Sequence, residues 1–147
     1  MKGKTLEARL LLLKEVREAG VVMAGDKILV VDDDPDFLQL LEFDLKKRGY
    51  EVVSVTNGAE ALEQTKAEKP QLIVLDIKMP KMDGYTFVRL LKKDPETQEI
   101  PVIILTSYEP MRDIFRIEGI NDYFMKSSNM EGLLEAIRRN LKTSKTS

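Results

Sequence analysis

Residues 27–36 read Lys-Ile-Leu-Val-Val-Asp-Asp-Asp-Pro-Asp, and this stretch decides the fold. Its apolar run, 28–31, is short, rich in β-branched residues and continuous, as in a strand that is covered on both faces. Asp34 followed by Pro35 is typical of a helix start, with the aspartate as N-cap and the proline at the first helical position. The stretch therefore predicts a buried parallel strand that passes directly into a helix.

The same alternation continues along the chain. Four more apolar runs follow, at 52–55, 72–75, 102–105 and 123–125. Segments with helical spacing follow the strands, at 37–45, 59–67, 87–91, 111–118 and 133–141. Five strands alternating with five helices predict an α/β fold, a doubly wound five-stranded parallel sheet with right-handed crossovers. Ligands of such sheets bind outside the carboxyl ends of the strands, so the residues that close the strands are the candidate site.

Two segments lie outside this pattern. Residues 2–19 form a predicted extra helix in which Leu6, Leu10 and Leu13 share one stripe, and residues 142–147 form a polar tail that we expect to be frayed. We divide the chain into an N-terminal helical extension (1–26), a main domain (27–141) and the tail. Because Met23 resembles a natural start before the first strand, we expect residues 1–22 to be dispensable for folding. A dimerising or docking helix remains the alternative.

Composition narrows the range of functions. A chain of 147 residues with 43% hydrophobic and 33% charged residues fits one globular domain. The net charge of -2 offers no broad basic surface, which argues against direct nucleic-acid binding. The absence of histidine excludes a Ser-His-Asp triad and self-phosphorylation on histidine. The absence of cysteine excludes disulfides and fits a cytoplasmic protein, and no apolar run is long enough for membrane insertion.

The residues that close the first and third strands are acidic. Asp32 and Asp33 repel each other unless a cation or a proton intervenes, and two adjacent carboxylates suit Mg²⁺. Asp76 follows the third apolar run directly, and the turn residues 80–84, Pro-Lys-Met-Asp-Gly, lie just beyond it. Such a turn would hold the backbone carbonyl of Lys78 where a cation could use it.

The fourth and fifth strands close with Thr106 and Lys126. Either residue alone is ordinary, because threonine is common in strands and a lone lysine is usually a solvated charge. In a parallel sheet, however, all the strand ends lie on one edge, so three acids, a hydroxyl and an ammonium would meet in one shallow cleft. The set therefore predicts a functional site at this edge of the sheet, with acids that suit a divalent cation.

Four motifs, in this order and spacing, resemble the receiver domain of two-component response regulators over residues 27–141. They are Ile28-Leu-Val-Val-Asp-Asp-Asp-Pro35, Leu72-Ile-Val-Leu-Asp-Ile-Lys-Met-Pro-Lys-Met-Asp-Gly84, Ile103-Ile-Leu-Thr-Ser107 and Asp122-Tyr-Phe-Met-Lys126. The resemblance implies a flavodoxin-like sheet with strand order 2-1-3-4-5. It also implies a stand-alone receiver whose donor is a sensor histidine kinase or a phosphotransfer protein, and whose output passes to a downstream protein target.

The resemblance assigns the acceptor and the metal ligands. It implies that Asp76 is the phosphoacceptor. It also implies that Asp32, Asp33, Asp76 and the backbone carbonyl of Lys78 hold Mg²⁺. A protein of this kind is not an enzyme with a separate substrate, because it catalyses only its own phosphorylation and dephosphorylation.

The resemblance also assigns residues around the phosphoryl group. It implies that Thr106 and Lys126 bind the phosphoryl oxygens and that Tyr123 is an aromatic switch, moving as Thr106 is drawn towards the acyl phosphate. Lys78 and Tyr108 would flank the path of the water that hydrolyses the acyl phosphate. Neither side chain suits water activation at neutral pH, so we expect a long phosphoryl lifetime.

The chain departs from the family pattern on the side of the fourth and fifth predicted helices. Ser127 stands where the family has a proline with a cis peptide, so either a strained cis bond is kept or the loop is redrawn. The segment between Thr106 and Lys126 is about two residues shorter than usual. Residues 118–120, Glu-Gly-Ile, stand where small residues are favoured.

Two other functions remain open. One is a receiver-like protein-binding module that does not switch. The other is an aspartate-nucleophile phosphatase, because Asp32-Asp33-Asp34 contains the Asp-x-Asp of haloacid-dehalogenase-type phosphatases. In those enzymes Gly-Thr follows, where this chain has Pro35-Asp36, and the chain has no room for their usual cap.

Overall fold

Five strands form one parallel sheet in the computed structural model, which describes residues 5–18, 26–128 and 130–146. The strands are β1 (Lys27–Val31), β2 (Glu51–Val55), β3 (Leu72–Leu75), β4 (Val102–Thr106) and β5 (Tyr123–Met125). The helices are α1 (Leu6–Glu18), α2 (Pro35–Lys47), α3 (Gly58–Glu68), α4 (Gly84–Lys93), α5 (Arg112–Ile117) and α6 (Met130–Thr146). The strand order is β2-β1-β3-β4-β5, with every neighbouring pair parallel. The predicted doubly wound sheet and its strand order are confirmed.

The sheet has a core on each face. Side chains of successive strand residues point to opposite faces, so Ile28 and Val30 of β1 lie in one core while Leu29 and Val31 lie in the other. Helices α2 and α6 cover the first core, and helices α3, α4 and α5 cover the second. Burial on both faces explains why β1, β3 and β4 contain continuous apolar runs.

Three helices begin at a side-chain cap in the loop that follows a strand. Asp34 accepts hydrogen bonds from the backbone at the start of α2, as predicted. Asn57 accepts from Glu60 N–H at 2.8 Å to begin α3, and Asp83 accepts from Thr86 N–H at 2.8 Å to begin α4. These caps fix where each helix starts relative to its strand, and so hold the loops that carry the candidate site.

Several boundaries differ from the predicted ones. Helix α1 runs from Leu6 to Glu18 rather than over 2–19, although residues 2–4 and 19 lie outside the described part. Helix α6 continues to Thr146, so the predicted frayed tail is helical as far as it is described. No cis peptide occurs among the described residues, so the loop after Lys126 is redrawn. There, Ser128 donates to the carbonyl of Met125 through both its N–H and its hydroxyl, at 3.0 and 2.6 Å.

In the described part of the chain, no helix combines the length and the apolar content that crossing a bilayer requires.

Gly84, the first residue of α4, allows that helix to approach the end of β3 closely. A Cβ atom there would lie 2.6 Å from the carbonyl oxygen of Asp76 and 2.9 Å from the Cα of Ile77. Both are backbone atoms and cannot rotate away. We therefore expect Gly84→Ala to lower the free energy of unfolding by about 2 kcal/mol, the usual cost of overpacking, as measured by urea denaturation.

Gly132→Ala in α6 is a matched control, because a Cβ there meets only the ring edge of Phe124, at 3.3 Å. The gain in helix propensity should offset that contact. An unchanged urea midpoint for Gly84→Ala would show that the close approach at α4 is not constraining.

Candidate functional site

Three carboxylates meet where β1 and β3 end. Val31 and Leu75 are paired in register, so the residues that follow them, Asp32 and Asp76, lie side by side. Backbone bonds hold both residues to the neighbouring strands: Asp76 N–H donates to the Val31 carbonyl at 2.9 Å, and Asp32 N–H donates to the Val55 carbonyl at 3.1 Å. One carboxylate oxygen each from Asp32, Asp33 and Asp76 lie within 4.8 Å of one another. The structure thus brings together the three acids that the sequence predicted.

Lys126 supplies the positive charge of this cluster. Its Nζ lies 2.6 Å from Oδ2 of Asp32 and 3.2 Å from Oδ2 of Asp76. Its backbone N–H donates to the carbonyl of Thr106 at 2.8 Å, which ties the start of the β5–α6 loop to the end of β4. Burial acts to lower the pKa of Lys126, but the hydrogen bond to Asp32 and the charge of Asp76 outweigh it and raise the pKa. Lys126 is therefore an ammonium at neutral pH.

Asp32 and Asp76 are buried, whereas Asp33 is exposed. Burial raises the pKa of Asp32, the negative charge of Asp76 adds to the shift, and the hydrogen bonds from Lys126 and Asp34 oppose it. Backbone donors hold both buried carboxylates in place: Asp34 N–H on Oδ1 of Asp32 at 2.9 Å, and Ile77 N–H on Oδ1 of Asp76 at 2.7 Å. The carboxylates of Asp32 and Asp76 are thus held in fixed positions, and their two negative charges exceed the single positive charge of Lys126.

The donor set fits a divalent cation. Carboxylate oxygens are hard ligands of the kind that Mg²⁺ binds, and here three of them converge on one point at the sheet edge. Lys126 offers one positive charge to two of these carboxylates, which leaves the cluster negative. The further ligand suggested by the sequence, the backbone carbonyl of Lys78, stays a prediction.

Thr106 and Tyr123 are linked through the backbone of Tyr108. Thr106 is the buried last residue of β4, and its Oγ1 accepts a hydrogen bond from Tyr108 N–H at 3.2 Å. The Tyr123 hydroxyl donates to the Tyr108 carbonyl, and its ring is buried against Phe115, with centroids 6.1 Å apart. The predicted switch residue is therefore already packed inside the fold.

Lys78 and Tyr108 contact each other. The Nζ of Lys78 lies 3.9 Å from the centre of the Tyr108 ring, in a cation–π arrangement. Lys78 is exposed and Tyr108 is half-buried. The two residues come from the loops after β3 and β4, so they are brought together at the edge of the sheet where the acids lie.

Two contacts of the site were not foreseen from the sequence. The Nζ of Lys126 lies 4.5 Å from the ring centre of Phe37, the third residue of α2. Arg112 covers Tyr123: its guanidinium carbon lies 4.7 Å from the ring centre, and it donates to the Tyr123 carbonyl at 2.9 Å. The sequence places Arg112 in a helix shortly before the strand that contains Tyr123. Whether the arginine side chain reaches that ring depends on how the helix packs.

Comparisons with known proteins agree with this geometry. A family model of the response regulator receiver domain matches residues 28–138. Protein PilH of Pseudomonas aeruginosa is 37% identical over 113 residues, which cover 76% of this chain and 93% of PilH. The probable transcriptional regulator ycf27 of Porphyridium aerugineum is 39% identical over 120 residues, which cover 79% of this chain. This chain spans only 48% of that protein's length, and about half the length of several other relatives.

Solved structures give the same result. The signal receiver domain of a signal transduction histidine kinase from Syntrophus aciditrophicus aligns with a TM-score of 0.75 and 35% identity, covering 84% of this chain and 95% of that one. The response regulator protein TrrA from Thermotoga maritima, solved in complex with Mg²⁺-BeF, aligns with a TM-score of 0.72 and 32% identity, covering 80% and 99%. Motifs, sheet order and comparisons agree, and the chain belongs to the receiver domains of two-component response regulators.

Proposed function

We propose that this receiver takes a phosphoryl group onto Asp76 with the help of Mg²⁺ and passes the signal to a protein partner. The observation that supports this most is the placement of the buried Asp76 carboxylate, 3.2 Å from the Lys126 ammonium and beside two other acids. An oxygen of Asp76 forms the bond to phosphorus while the bond between phosphorus and the donor breaks. The leaving group keeps the bonding electron pair and takes its proton from the solvent.

Charge neutralisation is the main task of the site. A bound Mg²⁺, held by Asp32, Asp33, Asp76 and the Lys78 carbonyl, would offset the negative charge of carboxylates and phosphoryl oxygens. Lys126 already lies at Asp76 and can donate to a phosphoryl oxygen there. We assign the Thr106 hydroxyl to a second phosphoryl oxygen, because it closes the neighbouring strand.

The donor and the output follow from the same residues. Because this chain has no histidine, the phosphoryl group must come from another molecule, and we propose a phosphohistidine of a cytoplasmic sensor kinase or phosphotransfer protein. If Thr106 turns to a phosphoryl oxygen, the N–H of Tyr108 loses its acceptor, and the Tyr108 carbonyl that holds Tyr123 is free to shift. A local change in charge would thereby alter the surface around α5 and β5.

Acetyl phosphate tests the proposal directly. With Mg²⁺, the native chain should gain one phosphoryl group by intact mass, and EDTA should prevent the gain. Continuous release of inorganic phosphate at catalytic rates would instead indicate a phosphatase. No uptake under any condition would indicate a receiver-like module that does not switch, and would contradict the proposal.

We expect the phosphoryl group on Asp76 to be lost slowly, because Lys78 and Tyr108 together cover the approach of water. Lys78 has no acceptor to activate a water, and the Tyr108 ring, held under its Nζ, adds bulk. Lys78→Asn and Tyr108→Glu each break the cation–π contact and introduce an acceptor. Each should shorten the lifetime by roughly tenfold, which corresponds to about 1.4 kcal/mol of activation free energy.

The measurement is the decay of the phosphorylated chain after the small donor is removed. Lys81→Asn is a matched control, because Lys81 is also an exposed lysine of this loop and its φ of 69° suits asparagine. The idea fails if neither Lys78→Asn nor Tyr108→Glu decays faster than the native chain and this control.

A further inference from the structure

The N-terminal helix α1 is an ordered helix with a defined start. Its first turn is capped by Thr5, whose hydroxyl accepts from Ala8 N–H and whose carbonyl accepts from Arg9 N–H, both at 3.1 Å. The helix spans 13 residues, Leu6–Glu18, and runs alongside α6. The segment therefore needs a physical reason to be helical.

The packing of its described side chains does not supply that reason. Every α1 side chain that the structure describes is exposed, and four of them are leucines: Leu6, Leu10, Leu11 and Leu12. Their exposed fractions are 71%, 56%, 59% and 49%. An isolated helix of about 12–15 residues is marginal in water, and exposed leucines that lie on one side of a helix mark an interaction surface. Leu6 and Leu10 are four residues apart and lie on one side of α1. A partner that covers these two leucines would account for both features.

The charges of α1 indicate what that partner is. The helix carries three acidic residues, Glu7, Glu15 and Glu18, and three basic residues, Arg9, Lys14 and Arg17. This balance does not favour an anionic lipid surface, which selects helices with a basic face. A helix with equal numbers of acidic and basic residues is instead complementary to a surface with the same mixture of charges, such as a second copy of itself.

The order of the charges favours an antiparallel pair. Leu6, Leu10 and Leu13 are spaced four and then three residues apart, as in a heptad seam, with Glu7 and Lys14 at equivalent positions on one side and Arg9 on the other. In an antiparallel pair, Glu7 of each copy faces Lys14 of the other, which gives two ion pairs by symmetry. In a parallel pair, Arg9 would face Lys14 of the other copy, with repulsion.

We propose that α1 is a self-association helix through which two copies of this receiver form a symmetric dimer, with their α1 helices antiparallel. Leu6 and Leu10 supply the buried apolar surface, and the Glu7–Lys14 pairs select the orientation. Such an interface is isologous, because the same patch serves on both copies and the assembly closes at two. It joins the receivers through α1 and leaves the cluster of Asp32, Asp33 and Asp76, which lies at the sheet edge, outside the contact.

The first experiment measures the mass of the full chain in solution by sedimentation velocity over a wide range of concentrations. We expect a dimer that dissociates on dilution, and a monomer at every concentration for Leu6→Glu/Leu10→Glu. Leu40→Glu is the matched control, since Leu40 is an equally exposed leucine of α2 and should leave the dimer intact. Because these side chains are exposed, all three proteins should keep the same thermal unfolding midpoint of the receiver core.

The second experiment tests the orientation. Lys14→Glu places two acids opposite each other in the antiparallel pair and should weaken dimerisation by about five- to tenfold, whereas Glu7→Lys/Lys14→Glu should restore it. In a parallel pair, Lys14→Glu would face Arg9 and strengthen the dimer, which would overturn the proposed geometry. A native chain that is monomeric throughout, or that binds lipid vesicles through α1 without dimerising, would overturn the self-association itself.

Discussion

Replacing Asp76 with asparagine is expected to abolish phosphoryl uptake from acetyl phosphate. An amide is not a nucleophile for phosphorus under these conditions, and the chain has no histidine or cysteine to take over the role. The substitution should spare the fold, because the side-chain carbonyl of asparagine can still accept the Ile77 N–H that now lies 2.7 Å from Oδ1. Intact mass after incubation with Mg²⁺ and donor is the measurement.

Asp34→Asn provides the matched control for that result. It makes the same carboxylate-to-amide change close to the site, at an exposed residue whose role is to cap α2. Asparagine caps helices about as well as aspartate, so this variant should be labelled like the native chain. Labelling that persists in Asp76→Asn would show that another residue is the acceptor.

The sheet could be predicted from the sequence because its signal is local. Both faces of β1 and β3 are buried, so these strands are continuous apolar runs. A change of period in the sequence marks each helix. The helix boundaries that differ from the predicted ones lie where the sequence shows no change of period. The end of α6 is the clearest case, because Lys142–Thr146 has no apolar spacing and its backbone continues the helix regardless.

The acids of the site could be predicted because topology alone brings them together. Parallel strands that end in register place Asp32 beside Asp76 whatever the side chains do. The contact of Lys126 with Phe37, and the contacts of Arg112 and Tyr108, could not be predicted in the same way. They depend on how far a side chain reaches across loops that are distant in sequence, and on the path of a loop such as the one after Lys126, where the peptide is trans.

Replacing Lys126 with methionine is expected to slow phosphoryl uptake by about 10²–10³-fold, the usual loss when one preorganised charge-stabilising donor is removed. Methionine keeps much of the length and apolar stem of lysine, so it can still lie over Phe37. It lacks the ammonium that contacts both Asp32 and Asp76. The two buried carboxylates then face each other without that charge, and an anionic donor meets a more negative site.

The measurement is the initial rate of labelling at a fixed Mg²⁺ concentration, with circular dichroism to confirm that the variant is folded. Lys78→Met is the matched control, because Lys78 is an exposed lysine near the same site whose described partner is the Tyr108 ring rather than an acid. Its labelling rate should stay within a few-fold of native, even if its phosphoryl lifetime changes. Equal rates for Lys126→Met and Lys78→Met would mean that the ammonium at Asp76 does not assist transfer. Lys126 would then hold Asp32 and Asp76 in place without taking part in the chemistry.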